Sequence, residues 1–388
     1  MRRQRRGFTL IELMVSSAVT FVTVLAVSAA FLGYTQSFYT QAGIRGGQAS
    51  LRQTHLMVVR NLRMAGYGME PFRAFEFSPE LSRESLTAVN RSDQLVFRMR
   101  NPSFNAFAAS VSATSITLAS PSRSVLRKGQ ILQVVCPGGS VLTYAQMSED
   151  RPKGATELPL EAADAGGKFP RINDFTPSCF GTAGGSTISV FKIDVYHYSV
   201  RLIDDDGVPS TPGRPYLFRR HGLGEKKPLE ENFGEPVAED IEAMRVTFLR
   251  EDGSSFVPDS SAPHPDYGTP LDSELRKNNS PANIRAVLIG LVARSSTRDA
   301  GASTSVMNQI PAFGRSGLDD TQEAGFSEDP ITKLPVPHGF RRIVSEMTVQ
   351  VRNMRSSQLP LPLYTRDAGS ATVCKGDLPG DNLNCAGG

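Results

Sequence analysis

Proline is missing from the first 70 residues, although the 388-residue chain holds 26 of them. Nothing in that stretch locks φ or removes a helical donor, so one unbroken helix is allowed there. Charge is missing as well, since no Asp, Glu, Lys or Arg separates Glu12 from Arg45. A surface helix of a soluble domain carries a polar face, so that reading is excluded. Residues 13–33 instead meet the ~20 apolar residues that cross a bilayer as one helix. Thiols at metal-ligand spacing are missing: Cys136, Cys179, Cys374 and Cys385 are the only cysteines, and no Cys-x-x-Cys run exists to make a zinc site. No His-Glu-x-x-His or Gly-x-Ser-x-Gly run occurs, and His55, His197, His221, His264 and His338 are scattered. The chain therefore shows no enzyme motif, and neither catalysis nor a cofactor is expected.

What is present begins with four arginines, Arg2, Arg3, Arg5 and Arg6, ahead of the apolar run. They hold the amino terminus in the cytoplasm and send the remainder across the membrane. Glu12 sits one residue inside the apolar edge, where an acidic side chain costs up to about 2.5–3.5 kcal/mol and therefore calls for a partner. A secretory leader cut near Ala26-Val27-Ser28-Ala29, or a plain membrane anchor, would fit the length and the arginines. Neither accounts for the carboxylate at the mouth of the run. Further along, Ile44, Leu51, Val58, Leu62 and Ala65 recur at helical spacing while Arg45, Arg52, Arg60 and Arg63 occupy other faces, as on a helix lying against a sheet. Gly66-Tyr67-Gly68 then stops it, because glycine enters the left-handed conformation at little cost. A helix over 8–66 would be ~90 Å long.

After Pro71 the pattern changes to short strands bounded by Gly, Pro, Ser and Asn, at 94–99, 115–118, 130–135, 190–202, 216–219, 243–249, 284–293 and 343–352. Asp206-Gly207 and Asp252-Gly253 read as hairpin turns. The stretches 254–281 and 298–338 have little periodicity and read as long surface loops. Four cysteines in a segment delivered to an oxidising compartment read as disulfides, with sequence order suggesting Cys136–Cys179 and Cys374–Cys385 among three pairings. Asp204-Asp205-Asp206-Gly207 resembles the start of a calcium loop but lacks the later ligands, and Asp377 with Asp381 is a weaker case, so no metal is expected. The basic run Arg214, Arg219, Arg220, His221, Lys226 and Lys227, interleaved with Tyr216 and Phe218, is the best nucleic-acid candidate. It also alternates like a strand, and Glu225, Glu230 and Glu231 dilute it, so nucleic acid is not the expected partner. The formal charge of +3 falls to −1 without the four leading arginines, which removes a general attraction to polyanions.

Gly7-Phe8-Thr9-Leu10-Ile11-Glu12-Leu13 resembles the class III signal of type IV prepilins and type II secretion pseudopilins. The resemblance implies cleavage between Gly7 and Phe8 by a prepilin peptidase, N-methylation of Phe8, and a Glu12 carboxylate that neutralises the amino terminus of a neighbouring subunit. Asn61-Leu62-Arg63-Met64-Ala65-Gly66-Tyr67-Gly68 is similar to the helix end of PilW-type minor pilins. The runs from Glu239 to Val246 and from Phe340 to Val344, closing in Val351-Arg352-Asn353, are similar to other stretches of that family. The implied fold is α+β and type IV pilin-like, with a long N-terminal helix, membrane-spanning over about 10–33, packed on an antiparallel β-sheet globular domain. Residues 1–7 would be the leader, 8–66 the helix and 67–388 a periplasmic domain. The implied role is in a tip or priming complex for pilus assembly, with other minor pilins, the major pilin and a large tip adhesin as partners. The chain would sit in the inner membrane first and at the pilus tip later. A J-type pseudopilin of a type II secretion system shares these features, and a DNA-binding pilin for uptake is the alternative of a different class.

Overall fold

The structure, a computed structural model, describes residues 9–76, 93–137, 142–162, 175, 180, 188–203, 214–221, 234–250, 255–256, 284–295 and 342–355. A single helix, α1 (Leu10–Leu62), opens the chain and is ~80 Å long at 1.5 Å per residue. Regular helix stops at Leu62, and turns carry the backbone through 63–68. Gly66 and Gly68 take φ of +77° and +67°, and a Cβ at either would meet a neighbour at under 3 Å: the Met354 sulfur or the Arg100 side chain. The helix expected over 8–66 thus ends four residues early, and Gly66 and Gly68 shape the turns that follow it. The Gly66 N–H donates to the Arg98 carbonyl, which ties the helix end to the first sheet.

That sheet has nine strands, all antiparallel. Two long ones form its spine: β2 (Leu95–Val111) and β7 (Ile188–Ile203), paired from Leu95↔Tyr198 to Ala108↔Ile188. Around them lie β1 (Phe75–Glu76), β3 (Ser115–Leu118), β4 (Ile131–Val135), β5 (Leu142–Gln146) and β6 (Glu157–Pro159), in the order β5-β4-β7-β2-β3-β6 with β1 also on β2. The other half of β7 carries β8 (Arg214–His221) and, beyond it, β9 (Glu235–Glu239). The second sheet runs β11-β10-β12-β13, made of β10 (Ile241–Arg250), β11 (Ser255–Phe256), β12 (Ile284–Arg294) and β13 (Arg342–Gln350). Its β12, flanked on both sides, is buried nearly throughout, as its run Ala286-Val287-Leu288-Ile289 demands.

All eight expected strands exist, but β2 was read as ending at 99 and continues to Val111 through Pro102. The ladder to β7 shifts register between Arg100 and Asn105, so the missing proline N–H falls inside an irregularity and leaves no broken ladder bond. Asn101 holds that irregularity, donating to Asp194 Oδ2 at 2.7 Å and accepting from the Ser103 N–H at 2.8 Å. The short β1, β5, β6, β9 and β11 were not anticipated. The turns at Asp206-Gly207 and Asp252-Gly253 lie outside the described residues, although β7 with β8 and β10 with β11 pair antiparallel across them. The stretches 254–281 and 298–338 also lie outside, except for β11.

Two cores result. One gathers Leu51, Val58 and Leu62 of α1 with Phe75, Phe97, Tyr198, Val246, Phe248, Ile289 and Leu291 from both sheets. Burial of each large side chain contributes ~1.5–3 kcal/mol. The other lies away from the helix, among Phe104, Ile116, Leu126, Leu132, Val134, Met147 and Leu158.

Candidate functional site: the amino-terminal helix

Thr9 opens α1 as its N-cap, with extended backbone, and the helix begins with a reciprocal capping box. The Glu12 N–H donates to Thr9 Oγ1 at 3.3 Å, while Glu12 Oε2 accepts from the Thr9 N–H at 3.2 Å and from the Thr9 hydroxyl at 3.1 Å. Two of the donors that every helix start leaves unpaired are thereby satisfied, and a carboxylate sits at the positive end of the helix dipole. Sequence reasoning gave Glu12 only an amino terminus, its own or a neighbouring subunit's, as partner. The Thr-x-x-Glu spacing was the available signal for the intrachain one. Gly7 and Phe8 lie outside the described residues.

Every residue from Thr9 to Tyr34 is exposed. Leu10, Ile11, Val19, Phe21, Val22, Phe31 and Leu32 all stand out from the fold, and this is the one helix among the described residues long and apolar enough to cross a membrane. Five hydroxyls along it are closed off internally. Ser16, Ser17, Thr20, Thr23 and Thr35 donate to the carbonyls of Leu13, Met14, Ser16, Val19 and Phe31 at 2.7–3.1 Å. Such back-bonds satisfy these five hydroxyl donors without water, which suits a lipid or a packed-helix environment.

The second half of α1 behaves differently. Gly43, Gly47, Leu51, Thr54, Val58 and Leu62 are buried at spacings of four, four, three, four and four. The expected stripe began at Ile44, which is only half-buried; glycines head it instead, because the backbone comes close to the second sheet there. A Cβ built on Gly47 would lie 3.4 Å from Ile343 Cδ1 and 3.5 Å from the Arg294 carbonyl. Ser50 Oγ donates to the Glu239 carbonyl at 3.0 Å, and Asn61 Nδ2 donates to the Tyr198 hydroxyl at 2.7 Å. Burial pushes the Tyr198 hydroxyl up to about 12. His55 Nδ1 lies 3.4 Å from Ser345 Oγ, and burial lowers its pKa.

At one point the helix, the first sheet and the second sheet meet. Strands β9 and β10 are separated only by Asp240, yet β9 pairs in the first sheet and β10 in the second. Asp240 is 5% exposed with φ of +60°, a conformation that Asp tolerates better than most residues. Arg214 Nε of β8 donates to its Oδ1 at 2.9 Å, and Arg294 Nε of β12 does so at 3.4 Å. The Asp240 hydrogen bond raises the already high pKa of Arg214. The basic run is thus dispersed: Arg214 faces Asp240 and Glu239, Arg219 faces Glu235, and Arg219 and Arg220 are adjacent on a strand and point to opposite faces. Lys226 and Lys227 lie outside the described residues.

Cys136 is buried in the second core and is disulfide-bonded. Cys179, Cys374 and Cys385 lie outside the described residues, as do the aspartates at 204–206, 377 and 381. Among the described residues no group of three or more His, Cys, Asp or Glu side chains is placed to hold a metal.

Residues 2–28 match the family described as Prokaryotic N-terminal methylation motif. This motif covers the arginines, the Gly7-Phe8 junction, the capping box and most of the exposed apolar run. Among solved structures, a type IV-like pilin from Thermus thermophilus aligns over 79% of this chain and 97% of its own, at 11% identity and a TM-score of 0.29. A score that low carries no argument, so the fold stands on its own elements: a long N-terminal apolar helix packed on antiparallel sheet. No curated protein matches the chain. The methylation motif and the exposed apolar helix make the amino-terminal segment type IV pilin-like, and they fit an inner-membrane anchor.

Proposed function

We propose that the chain is a minor pilin of PilW type, which joins other minor pilins in a tip complex that primes polymerisation of the major pilin and displays an adhesin. The observation that carries this reading is the methylation motif running directly into a helix whose first 25 residues are exposed on every side. Such a surface has no partner among the described residues, so it would serve first in the membrane and then among the helices of other subunits. Glu12 would cap its own helix and also neutralise the amine of a neighbouring subunit, since an unpaired carboxylate in that setting is costly. The globular domain would stand in the periplasm, with Cys136 paired to Cys179. Phe180, next to Cys179, packs in the same core as Cys136, which supports that pairing.

Mass spectrometry of the amino-terminal peptide tests the processing. The mature chain is expected to start at N-methyl-Phe8, and a start near Ala29 overturns the reading. A deletion strain is expected to lose surface pili while the major pilin accumulates in the membrane. Normal piliation with lost type II secretion would instead assign the chain to a pseudopilus.

A further inference from the structure

No acidic residue occurs between Glu12 and Glu70, so the exposed side of the second half of α1 is cationic without relief. At about 100° per residue, Arg45, Arg52, Leu56, Arg60 and Arg63 fall within about an 80° arc, opposite the buried Gly47, Leu51, Thr54, Val58 and Leu62. All five are exposed, and Leu56 is 75% exposed at the middle of the row. Among the described residues none of the four guanidinium groups makes an ion pair. Helices that only face water intersperse both signs of charge, since like charges three or four apart repel.

We infer that this row is a docking surface for the acidic face of a neighbouring pilin-like subunit, with Leu56 as its apolar anchor. The inference rests on the assembly role proposed above. Length decides between a protein and anionic lipid. Measured from residue 33, where the apolar run ends, Arg52, Arg60 and Arg63 lie roughly 28, 40 and 45 Å along the helix. The headgroup layer is only about 5–8 Å thick. Even at a tilt of about 40° most of the row stands well past a Debye length of ~8 Å from the membrane surface. The row is also continuous with the exposed apolar half of α1, so a subunit packed on that half is already alongside it.

The test is photocrosslinking from position 56 of the full-length chain in its own membrane. The expected adduct joins a second protein that itself begins with a methylation-type segment, through a peptide rich in Asp and Glu. Adduct yield is expected to fall at least roughly tenfold in the double variant Arg52→Glu, Arg60→Glu and to persist in Arg52→Lys, Arg60→Lys. Reversing the acidic residues of the captured peptide is expected to restore the adduct with the double Glu variant. The same yield after charge reversal, an adduct with lipid alone, or no adduct overturns the inference. Co-purification separates the two readings. If the double Glu variant keeps its pilin-like partners, the docking surface fails and the assembly role stands; if the parent chain has none, the assembly role fails and the inference with it.

Discussion

The two halves of α1 share one backbone and one period but differ in where their stability comes from. Residues 10–34 bury nothing in the fold, whereas Leu51, Val58 and Leu62 are at most 3% exposed against both sheets. A helix of this length is not held by propensity alone, since most helical stability in proteins comes from packing. The second half takes that packing from its own chain, and the first half must take it from lipid or other subunits. A substitution therefore reads out in different assays on the two sides of residue 40.

The largest contrast is expected from one change made twice. Val58→Asp places an uncompensated charge in a site with no exposure and should cost about 3–5 kcal/mol. That is a large part of an ordinary domain's stability, so the detergent-solubilised chain should lose its cooperative melt. Val22→Asp should leave that melt unchanged and instead reduce membrane insertion, measured by fractionation. Equal effects on both assays would erase the distinction between the halves.

Glu12 sharpens it next. Glu12→Ala should still be inserted and cut, melt normally, and co-purify with partner pilins roughly tenfold less well, the scale of one lost charge contact. Glu12→Gln keeps an acceptor for Thr9 but removes the charge. If Gln assembles like the parent, capping is the whole role of Glu12 and the intersubunit pairing must be dropped. In the second half, Gly47→Leu should lower stability by about 1–3 kcal/mol through overpacking against Ile343, whereas Gly46→Ala, open to solvent, should raise it by about 0.5–1 kcal/mol. Chemical denaturation measures both.

The smallest effect is on pH. His55 is held below its usual pKa of 6.5 by burial, so the unfolded chain binds the proton first. The full contribution is present above 6.5 and is lost as pH falls toward the lowered folded value. The melting temperature should therefore decline from pH 7 to 5.5, and less steeply in His55→Gln.

The helix was the most legible part of the sequence, because missing prolines and missing charges mark it independently of any tertiary contact. Its glycine-headed packing stripe was less so, since Gly43 and Gly47 are buried yet hydrophobic periodicity does not register them. Of the strands, those with a continuous apolar run such as β12 could be read directly. Strand β2 could not be followed past Pro102, because local rules end a strand where the neighbouring β7 shifts register and keeps it. Short strands such as β6 and β9 owe their conformation to their partners more than to their residues. At the candidate site, the capping box was present in the sequence as Thr-x-x-Glu. The cationic row was visible only as residues on other faces until the structure showed which face the sheets occupy. The Asp240 junction had no local signal, since Arg214 and Arg294 are brought to it by topology.

That junction also bears on force. One residue spans ~3.8 Å between Cα atoms, so β9 and β10 leave the two sheets almost no slack. Arg214 and Arg294 grip Asp240 from either side, and Ser50 of α1 fastens to Glu239 next door. A pull along the helix axis thus arrives at both sheets at once.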